Sequence, residues 1–370
     1  MLTVSRLAPL TLNTARQLQE RLIEAITREF QGNEWLTRGE LGVGIDGRGS
    51  QFTQKVERVL ARLFHTEDAV LVTGAGTGAI RAVLFAMLAS GSRVLIHDAP
   101  LYSTTGVTFR AAGYQAVRVD FNNQEQLQQA LEYEEVQAVY IQHTRQQLKD
   151  SYDLATVIRL VRTHKPNVLI VIDDNYAVAN TPQIGVEMGA DASAFSAFKL
   201  LGPEGIGIVC CTSAIGARIR ADMYSGGTRV QGYQAQEVLL GLSSVFVQNA
   251  LTQEAATAVV EHIRQQKPAG ISEACIANVQ SPVILVRFEQ PIGPRIVEQA
   301  ARFGAAPFPV GAMSRYELVP MFYRVSGTMI AELGEENARH WIRINPMRAG
   351  AQTVLAILEK AQKEVENHVS

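Results

Sequence analysis

Apolar residues recur along the chain in two patterns that alternate with each other. Short runs rich in branched aliphatic residues predict strands, and the longer amphipathic stretches between them predict helices. The predicted strands read AVLVT, RVLIHD, AVRVD, AVYIQ and VLIVID, and helical stretches follow them to Leu88 and over Tyr102–Ala112, Gln124–Leu131 and Leu154–Thr163. Strands and helices of this length build a parallel sheet through right-handed crossovers. We therefore expect a doubly wound α/β domain with a mostly parallel sheet.

The segments on either side of this pattern divide the chain into three predicted parts. Residues 1–50 combine a helical pattern with the glycine-rich segment GELGVGIDGRGS and are expected to form a helix and an arm. Residues 51–241 are expected to form the large α/β domain. Residues 242–370 contain a helical stretch over Val245–Gln265, the strand sequences VILVRF and WIRIN, and a final helix over Ala351–Val365. We interpret them as a long connecting helix and a smaller C-terminal α/β domain.

The composition argues against nucleic-acid binding, a membrane span and a metal site. Lys and Arg number 34 against 36 Asp and Glu, for a net charge of −2, and no basic block follows the spacing of a phosphate backbone, so nucleic acid is not an expected partner. No apolar run approaches the ~18 residues of a membrane span. The scattered histidines lack metal-ligand spacing, and the three cysteines fit neither a zinc site nor a disulfide framework. A reducing, cytoplasmic location is expected, without a metal.

The segment VLVTGAGTGAIRA joins a predicted strand to a helix through a glycine loop. Backbone amides at the start of a helix form a site for anions where bulky side chains are absent. We therefore expect a phosphate group to lie over Gly76, Thr77 and Gly78, with the Thr77 hydroxyl as an additional donor.

The same loop also satisfies a dinucleotide-binding pattern. Gly74, Gly76 and Ala79 match GxGxxA, and Asp98 follows at the end of the next predicted strand, near where an acid that binds the ribose is expected. The loop alone therefore leaves a nicotinamide-dependent oxidoreductase open as an alternative.

A strand that ends in two aspartates, with a lysine downstream, indicates amine chemistry. Asp173 and Asp174 end the strand VLIVID at the edge of the sheet where α/β proteins bind ligands, and Lys199 lies in the apolar, glycine-flanked segment FSAFKLLGPEGIG. Desolvation in such surroundings lowers the pKa of a lysine, as an amine nucleophile requires. The structural alternative is a surface lysine whose stem covers apolar residues.

The order of these elements resembles the fold-type-I pyridoxal phosphate (PLP) enzymes, most nearly the cysteine and methionine metabolism lyases and their aluminium-resistance relatives. A glycine loop, an aromatic residue, a strand-end aspartate and a Ser-x-x-Lys motif follow one another, with 25 residues from Asp174 to Lys199 and 26 from Gly76 to Tyr102. The resemblance implies a fold-type-I PLP-dependent transferase architecture, PLP as cofactor, an amino acid or a close amine analogue as substrate, and elimination or replacement chemistry. Transamination and a non-catalytic, cofactor-binding role stay open.

The resemblance also implies roles for individual residues. Lys199 would form an internal aldimine with the cofactor and later serve as the base that moves the substrate's α-proton. Asp174 would pair with the pyridinium nitrogen, so that the ring acts as an electron sink. Tyr102 would stack on the ring, and Ser196 would bind the phosphate. Asp173, on the other side of an alternating strand, is the weaker acid for the pyridinium role.

The segment IQHTRQQ occupies the place where a side chain of the family contacts the cofactor's phenolic oxygen. His143 and Arg145 are the two candidates, and strand alternation does not choose between them. Phe198 stands where the lyases carry a threonine that contacts the phosphate, so one phosphate contact of those enzymes is missing here.

Three further positions are assigned by the same resemblance. Arg48 and Thr228 lie where residues reach the phosphate of a neighbouring subunit, which implies at least a homodimer with shared active sites, although Asp46 replaces the tyrosine that precedes the arginine in the lyases. Arg343 in WIRINPMR resembles the arginine that binds the substrate carboxylate through a bidentate fork, with Arg348 as the second choice.

Overall fold

The computed structural model describes residues 4–42, 49–223, 225–277, 282–308 and 313–367. Two compact units make up the chain. The large unit comprises Asn13–Thr144 and Tyr152–Phe246, and the small unit comprises Met1–Leu12, Arg145–Ser151 and Val247–Ser370.

The large unit is built from strands and helices that alternate along the chain. Its helices are α1 (Leu12–Glu29), α2 (Gln51–Leu63), α3 (Ala75–Met87), α4 (Ser103–Ala112), α5 (Gln124–Tyr133), α6 (Leu154–His164) and α7 (Ser213–Asp222). Its strands are β1 (Asp68–Thr73), β2 (Arg93–His97), β3 (Gln115–Val119), β4 (Ala138–Gln142), β5 (Leu169–Asp173), β6 (Ala192–Ser196) and β7 (Ile206–Cys211). The long helix α8 (Gly232–Gln266) is shared by the two units.

Within the described residues, the strands of the large unit form one sheet in the order β1-β7-β6-β5-β4-β2-β3. Strands β2 to β6 run parallel to one another, whereas β7 is antiparallel to both β1 and β6. This arrangement confirms the predicted α/β fold with a mostly parallel sheet. The sequence prediction included neither β6, whose sequence ASAFS holds no branched aliphatic residue, nor β7, where Gly207 interrupts the apolar run IGIVCC.

Helices cover both faces of this sheet and explain why its strands are apolar throughout. Alternate residues of β4 and β5 point to opposite faces: Val139 and Ile170 pack against α5 and α6, whereas Tyr140 and Val171 lie in the core that includes α3, α4 and α7. Each fully buried aliphatic side chain contributes about 1.5–3 kcal/mol relative to an exposed one. The two cores therefore fix the register of the strands and the position of their carboxyl ends.

Helix α8 begins well before the stretch at Val245 in which the sequence pattern predicts it. Gly241 interrupts the apolar pattern, but the structure requires a glycine there, because a Cβ atom at this position would lie 2.6 Å from the amide nitrogen of Gly202. The helix thus approaches the turn that follows Lys199 closely, and Ala235, Val238 and Leu242 are buried along it.

The small unit contains a separate antiparallel sheet and four helices among its described residues. Its strands are β8 (Ile271–Ile276), β9 (Ile284–Phe288), β10 (Met321–Arg324) and β11 (Trp341–Asn345), in the sheet order β10-β11-β9-β8. Its helices are α9 (Gly293–Arg302), α10 (Gly327–Leu333), α11 (Glu335–Ala338) and α12 (Ala351–Asn367). Helices α9 and α12 pack on the sheet in one apolar cluster, as expected for a small α/β domain.

Candidate active site

Polar side chains gather where β4, β5 and β6 end, close to the start of α3. The parallel strands bring Asp173, Asp174 and Asn175 to one edge of the sheet, with His143 after β4 and Lys199 after β6. The carboxyl ends of strands in an open α/β sheet are the usual position of a ligand site. All five residues belong to the large unit, and most of them are buried.

Lys199 lies in a short 3₁₀ turn, Ala197–Leu200, at the end of β6. Its Nζ atom donates a hydrogen bond to Oδ1 of Asn175 at 3.1 Å and lies 3.9 Å from the ring centroid of Tyr176. Although the residue keeps some solvent exposure, its amino group is enclosed, and this burial lowers the pKa of Lys199 to about 8, against the opposing charge of Asp173. A larger fraction of this amine is therefore unprotonated near neutral pH than of an ordinary lysine, as a nucleophile requires.

Tyr176 holds its ring under this amine at a cost in backbone energy. Its φ angle is +65°, in the left-handed region, which costs a residue with a side chain about 1–2 kcal/mol. Such backbone strain is found at functional sites, where the surrounding structure enforces it.

Asp174 is completely buried, and its carboxylate makes two hydrogen bonds. Its Oδ1 lies 2.7 Å from Nδ1 of His143, and its Oδ2 accepts a hydrogen bond from the amide of Gly185 at 3.0 Å. His143 is itself buried, and its amide donates to the carbonyl of Asp173 at 3.0 Å. The carboxylate of Asp174 is thus held in a fixed orientation at the end of β5.

Asp173 has different partners from its neighbour. Its Oδ1 accepts hydrogen bonds from the backbone amide and the side-chain Nδ2 of Asn175, at 3.0 and 2.7 Å, and its Oδ2 accepts one from the hydroxyl of Tyr140 at 2.9 Å. Burial raises the pKa of Asp173, and the charge of Lys199 opposes that rise. The sequence prediction assigned Asp174 to the pyridinium nitrogen. In the structure, the acid whose charge acts on Lys199 is its neighbour Asp173.

The glycine loop forms the start of α3. Gly74 caps the helix in the left-handed conformation, at φ +95°, and the amides of Gly74 and Ala75 both donate to the carbonyl of Gly205. The amide of Gly78 bonds to the carbonyl of Gly74 at 2.8 Å. The first-turn amides of Gly76 and Thr77 lack acceptors within the helix and are therefore donors for an anion.

Neighbouring atoms leave space only for glycine at positions 76 and 78. A Cβ atom at Gly76 would lie 2.5 Å from Oδ1 of Asn175, and one at Gly78 would lie 2.0 Å from the carbonyl oxygen of Thr73. The hydroxyl of Thr77 donates to that of Thr104 at 3.0 Å, which ties α3 to the first turn of α4.

Two further predicted residues flank the same region. Tyr102 precedes α4 as its N-cap residue and is 41% exposed, so its ring is available to a ligand near the loop. Ser196 is buried at the end of β6, and its amide donates to Oδ1 of Asn175 at 3.2 Å. The structure therefore brings the loop, Tyr102, Asp174, Ser196 and Lys199 into one region of the large unit.

The remaining predicted residues lie elsewhere or are used differently. Arg48 falls outside the described residues. Thr228 is exposed and donates its hydroxyl to the carbonyl of Ser225 at 2.6 Å. Arg145, the alternative to His143, belongs to the small unit, where its guanidinium donates to the carbonyls of Ser5 and Asp150.

The two candidate arginines for a carboxylate also belong to the small unit. Arg343 lies on β11, where its Nε donates to the carbonyl of Arg324 at 2.7 Å and its guanidinium carbon lies 4.2 Å from the ring centroid of Tyr323. Arg348 is exposed after that strand. The planar face of the Arg343 guanidinium is therefore stacked on an aromatic ring.

The dinucleotide-binding alternative is wrong for a topological reason. The pattern requires the strands on either side of the glycine loop helix to be neighbours in a parallel sheet. Here β1 is an edge strand paired antiparallel with β7, and β2 lies between β4 and β3. Gly74, Gly76, Ala79 and the exposed Asp98 therefore do not form a dinucleotide site.

A family model for Cys/Met metabolism PLP-dependent enzymes matches residues 46–278. The chain belongs to this family. A model for the YhfS-like C-terminal domain matches residues 257–358. Membership confirms the predicted family and pyridoxal phosphate as its cofactor.

Two proteins illustrate how similar the relatives are. The chain is 45% identical to the uncharacterised protein YhfS of Escherichia coli (strain K12) over 355 residues, which cover 96% of this chain and 98% of YhfS. The crystal structure of the pyridoxal-5'-phosphate dependent protein YhfS matches with a TM-score of 0.95 at 44% identity, over 98% of this chain and 99% of that one. CalE6, a methionine gamma lyase from Micromonospora echinospora, matches with a TM-score of 0.72 at 16% identity, over 93% and 98% of the two chains. The latter likeness concerns the fold, and together these structures confirm the fold-type-I architecture.

The polar groups near the strand ends fit the family's cofactor. Free amides at the start of α3 suit a phosphate, the enclosed amine of Lys199 suits an aldehyde, and the oriented carboxylate of Asp174 suits a pyridinium nitrogen. Within the described ranges, no helix is long and apolar enough to cross a membrane, and no cluster of metal-ligating side chains occurs.

Sequence reasoning gave no role to Tyr140, Tyr176 or Gly185, although all three contact the site. Tyr140 carried a usable signal, because a tyrosine in the middle of an otherwise apolar strand needs a partner for its hydroxyl. The left-handed backbone of Tyr176 and the amide of Gly185 leave no such mark in the sequence.

Proposed function

We propose that this protein binds pyridoxal phosphate covalently through Lys199 and catalyses an elimination or replacement reaction on an amino acid or a close amine analogue. The observation that carries the proposal is the enclosed amine of Lys199, whose pKa burial lowers to about 8 and whose Nζ is held by Asn175 beside the anion site of α3. When bound, the cofactor supplies an electron sink that stabilises negative charge on the substrate's α-carbon.

The protein's own residues would hold and orient this group. The amides of Gly76 and Thr77, with the hydroxyl of Ser196, would bind the phosphate, and the exposed ring of Tyr102 would stack on the cofactor. Asp174, oriented by His143, would hold a proton on the ring nitrogen. Lys199, once freed by the substrate's amine, would take the α-proton at Nζ and return it to the product side.

The choice of elimination or replacement follows from the family. The matching family model covers enzymes of cysteine and methionine metabolism, and CalE6, which shares the fold, is a methionine gamma lyase. Fold alone does not set the type of reaction, so this part of the proposal is supported by family membership rather than by geometry.

The proposal also includes a residue that binds the substrate carboxylate, an oligomeric state and a cellular location. Arg343 would bind the carboxylate through its guanidinium fork. Arg48 and Thr228 would reach the phosphate of a second copy of the chain, so that the active form is at least a homodimer. The three unpaired, buried thiols of Cys210, Cys211 and Cys275 support a reducing, cytoplasmic location.

A half-reaction with candidate amino acids tests the reaction type. The purified protein with bound cofactor is incubated with single amino acids, including cysteine, methionine and cystathionine, in the absence of any keto acid. We expect release of a keto acid and ammonia over many turnovers, and no release from Lys199→Ala. Stoichiometric conversion of the cofactor to its amine form, with one keto acid released per site, would instead identify an aminotransferase.

A further inference from the structure

Asp173 is a buried carboxylate that has no part in the roles proposed above. It is only 5% exposed, and three hydrogen bonds reach it, two from Asn175 and one from the hydroxyl of Tyr140. All three donors are uncharged. A carboxylate enclosed in this way is costly unless its charge interacts favourably with a nearby cation.

The hydrogen bonds determine which way the side-chain amide of Asn175 faces. Because its Nδ2 donates to Asp173 at 2.7 Å, its Oδ1 must face Nζ of Lys199 and the amide of Ser196, at 3.1 and 3.2 Å. The reverse orientation would place an oxygen against the carboxylate and an NH₂ group against two donors. Asp173 therefore ensures that the amine of Lys199 meets an acceptor.

The glycine loop provides the space in which this amide lies. A Cβ atom at Gly76 would be 2.5 Å from Oδ1 and 2.7 Å from Nδ2 of Asn175. The hydrogen bonds that run from Asp173 through Asn175 to Lys199 therefore lie between the start of α3 and the end of β6.

We propose that Asp173 is a positioning residue for Lys199, which orients Asn175 so that Nζ is held in place and supplies the buried negative charge that favours a proton on this amine. The inference rests on the proposed use of Lys199 as the cofactor's anchor and as the group that carries the α-proton. It gives the two consecutive aspartates separate tasks, since Asp174 is bound by His143 and Gly185 and faces different partners.

The other titratable groups around Lys199 are accounted for by the same contacts. Asp174 and His143 bond to each other, and the ring of Tyr176 lies against Nζ. Burial and the charge of Asp173 raise the pKa of Tyr140 well above its ordinary value, so its phenol stays protonated and donates to Asp173. Among these groups, Asp173 is the one whose charge raises the pKa of Lys199 against the larger effect of burial.

Substitution of Asp173 by asparagine isolates the charge. Asp173→Asn keeps the size of the side chain, its Oδ1 can still accept from Asn175, and its NH₂ group can donate to the oxygen of Tyr140. Asp191→Asn is the matched control: Asp191 precedes β6 at the opposite end of the sheet, where it bonds to Arg162 and to the amide of Ile170. Asp173→Glu retains the charge at the site.

The measurement is the pH dependence of acylation of Lys199 by acetic anhydride in the full-length chain freed of cofactor, followed by mass spectrometry of the peptide that carries it. We expect the midpoint of the Lys199 titration to move down by about one pH unit in Asp173→Asn, as for loss of a nearby opposite charge. Asp191→Asn and Asp173→Glu should keep the midpoint of the wild type.

An unchanged midpoint in Asp173→Asn, or an equal shift in Asp173→Glu, would overturn the proposal, because the charge would then have no effect of its own. Should Asp173→Asn lose the unfolding transition of the wild type, Asp173→Ser allows the same comparison. Attachment of the cofactor is measured separately by pyridoxyl mass on Lys199. If it is present while the midpoint of Asp173→Asn is unchanged, only the role of Asp173 fails; if it is absent from the wild type, the proposed function fails.

Discussion

Nδ1 of His143 lies 2.7 Å from Oδ1 of Asp174, and both side chains are buried at the ends of adjacent strands. The other carboxylate oxygen of Asp174 accepts a hydrogen bond from the amide of Gly185, so two donors from different parts of the chain fix its plane. A carboxylate that is oriented in this way can hold a cofactor's ring nitrogen without reorganisation when the cofactor binds.

We expect His143→Ala to weaken the binding of pyridoxal phosphate by about tenfold or more, because the carboxylate loses the neighbour that orients it. Folding stability should fall by about 1–3 kcal/mol, since a buried acceptor loses its partner. Equilibrium titration of the cofactor-free protein measures the affinity. His164→Ala, near Glu132 on the surface, is the control. Wild-type affinity in His143→Ala would show that the pair does not orient the site.

Gly76→Ala tests the close contact between the loop and Asn175. The new methyl group would overlap the amide of Asn175, which is expected to cost about 1–3 kcal/mol and to abolish or strongly weaken cofactor binding. Gly106→Ala is the matched control, because this position lies within α4 and a Cβ atom there meets nothing within 4 Å. Chemical denaturation should show that Gly106→Ala is as stable as the wild type or up to about 1 kcal/mol more stable. Equal behaviour of the two variants would contradict the packing described at Gly76.

Arg220 on α7 binds two acids, Asp68 at the start of β1 and Glu57 on α2. Its guanidinium bonds to Asp68 at 2.5 Å and to the buried Glu57 at 2.9 Å, and burial raises the pKa of Glu57 while Arg220 opposes that rise. Arg220→Met should therefore destabilise the fold by about 3 kcal/mol, because Glu57 is left buried without its partner. Adding Glu57→Gln should recover part of this loss in denaturant unfolding. A double variant as unstable as the single one would contradict the importance of the pair.

The pKa of Lys199 predicts how fast the cofactor attaches at different pH values. Burial lowers this pKa to about 8, so below that pH the amine is mostly protonated in the folded chain and does not attack an aldehyde. The rate of attachment should rise about tenfold per pH unit up to about pH 8 and level off above it. Rapid-mixing absorbance with the cofactor-free protein gives this profile, and N-acetyl-lysine amide is the reference for an exposed amine. A rate that keeps rising to the pH at which the reference amine titrates would contradict the lowered pKa.

The parts of the fold that follow local patterns could be predicted from the sequence. The strands β1 to β5 and the helices between them appear because apolar positions recur with periods that distinguish the two structures. Strands β6 and β7 were not predicted, because small residues in β6 and Gly207 in β7 interrupt the kind of branched aliphatic run that identified β1 to β5. Helix α8 was expected to begin too late because Gly241, which interrupts its apolar pattern, is required there by the close approach to Gly202. Local pattern therefore predicts elements but not close approaches between them.

For the candidate site, the sequence likewise predicted individual residues but not the contacts between them. Lys199, Asp174 and the loop are adjacent to strand ends, so the topology of a parallel sheet brings them to one edge. The coupling of Asp173 to Lys199 was not predictable, because it passes through the amide of Asn175, whose orientation depends on a hydrogen bond that alternation cannot express.

The most direct test of the central claim, that Lys199 carries the cofactor, is to reduce the pyridoxal phosphate-loaded protein with borohydride and map the labelled peptide by mass spectrometry. Lys165→Ala, at the partly exposed C-cap residue of α6, serves as the control for Lys199→Ala. The structure predicts loss of the yellow absorbance on reduction, and pyridoxyl mass on Lys199 in the wild type and in Lys165→Ala. Label on another lysine, or undiminished label in Lys199→Ala, would contradict it.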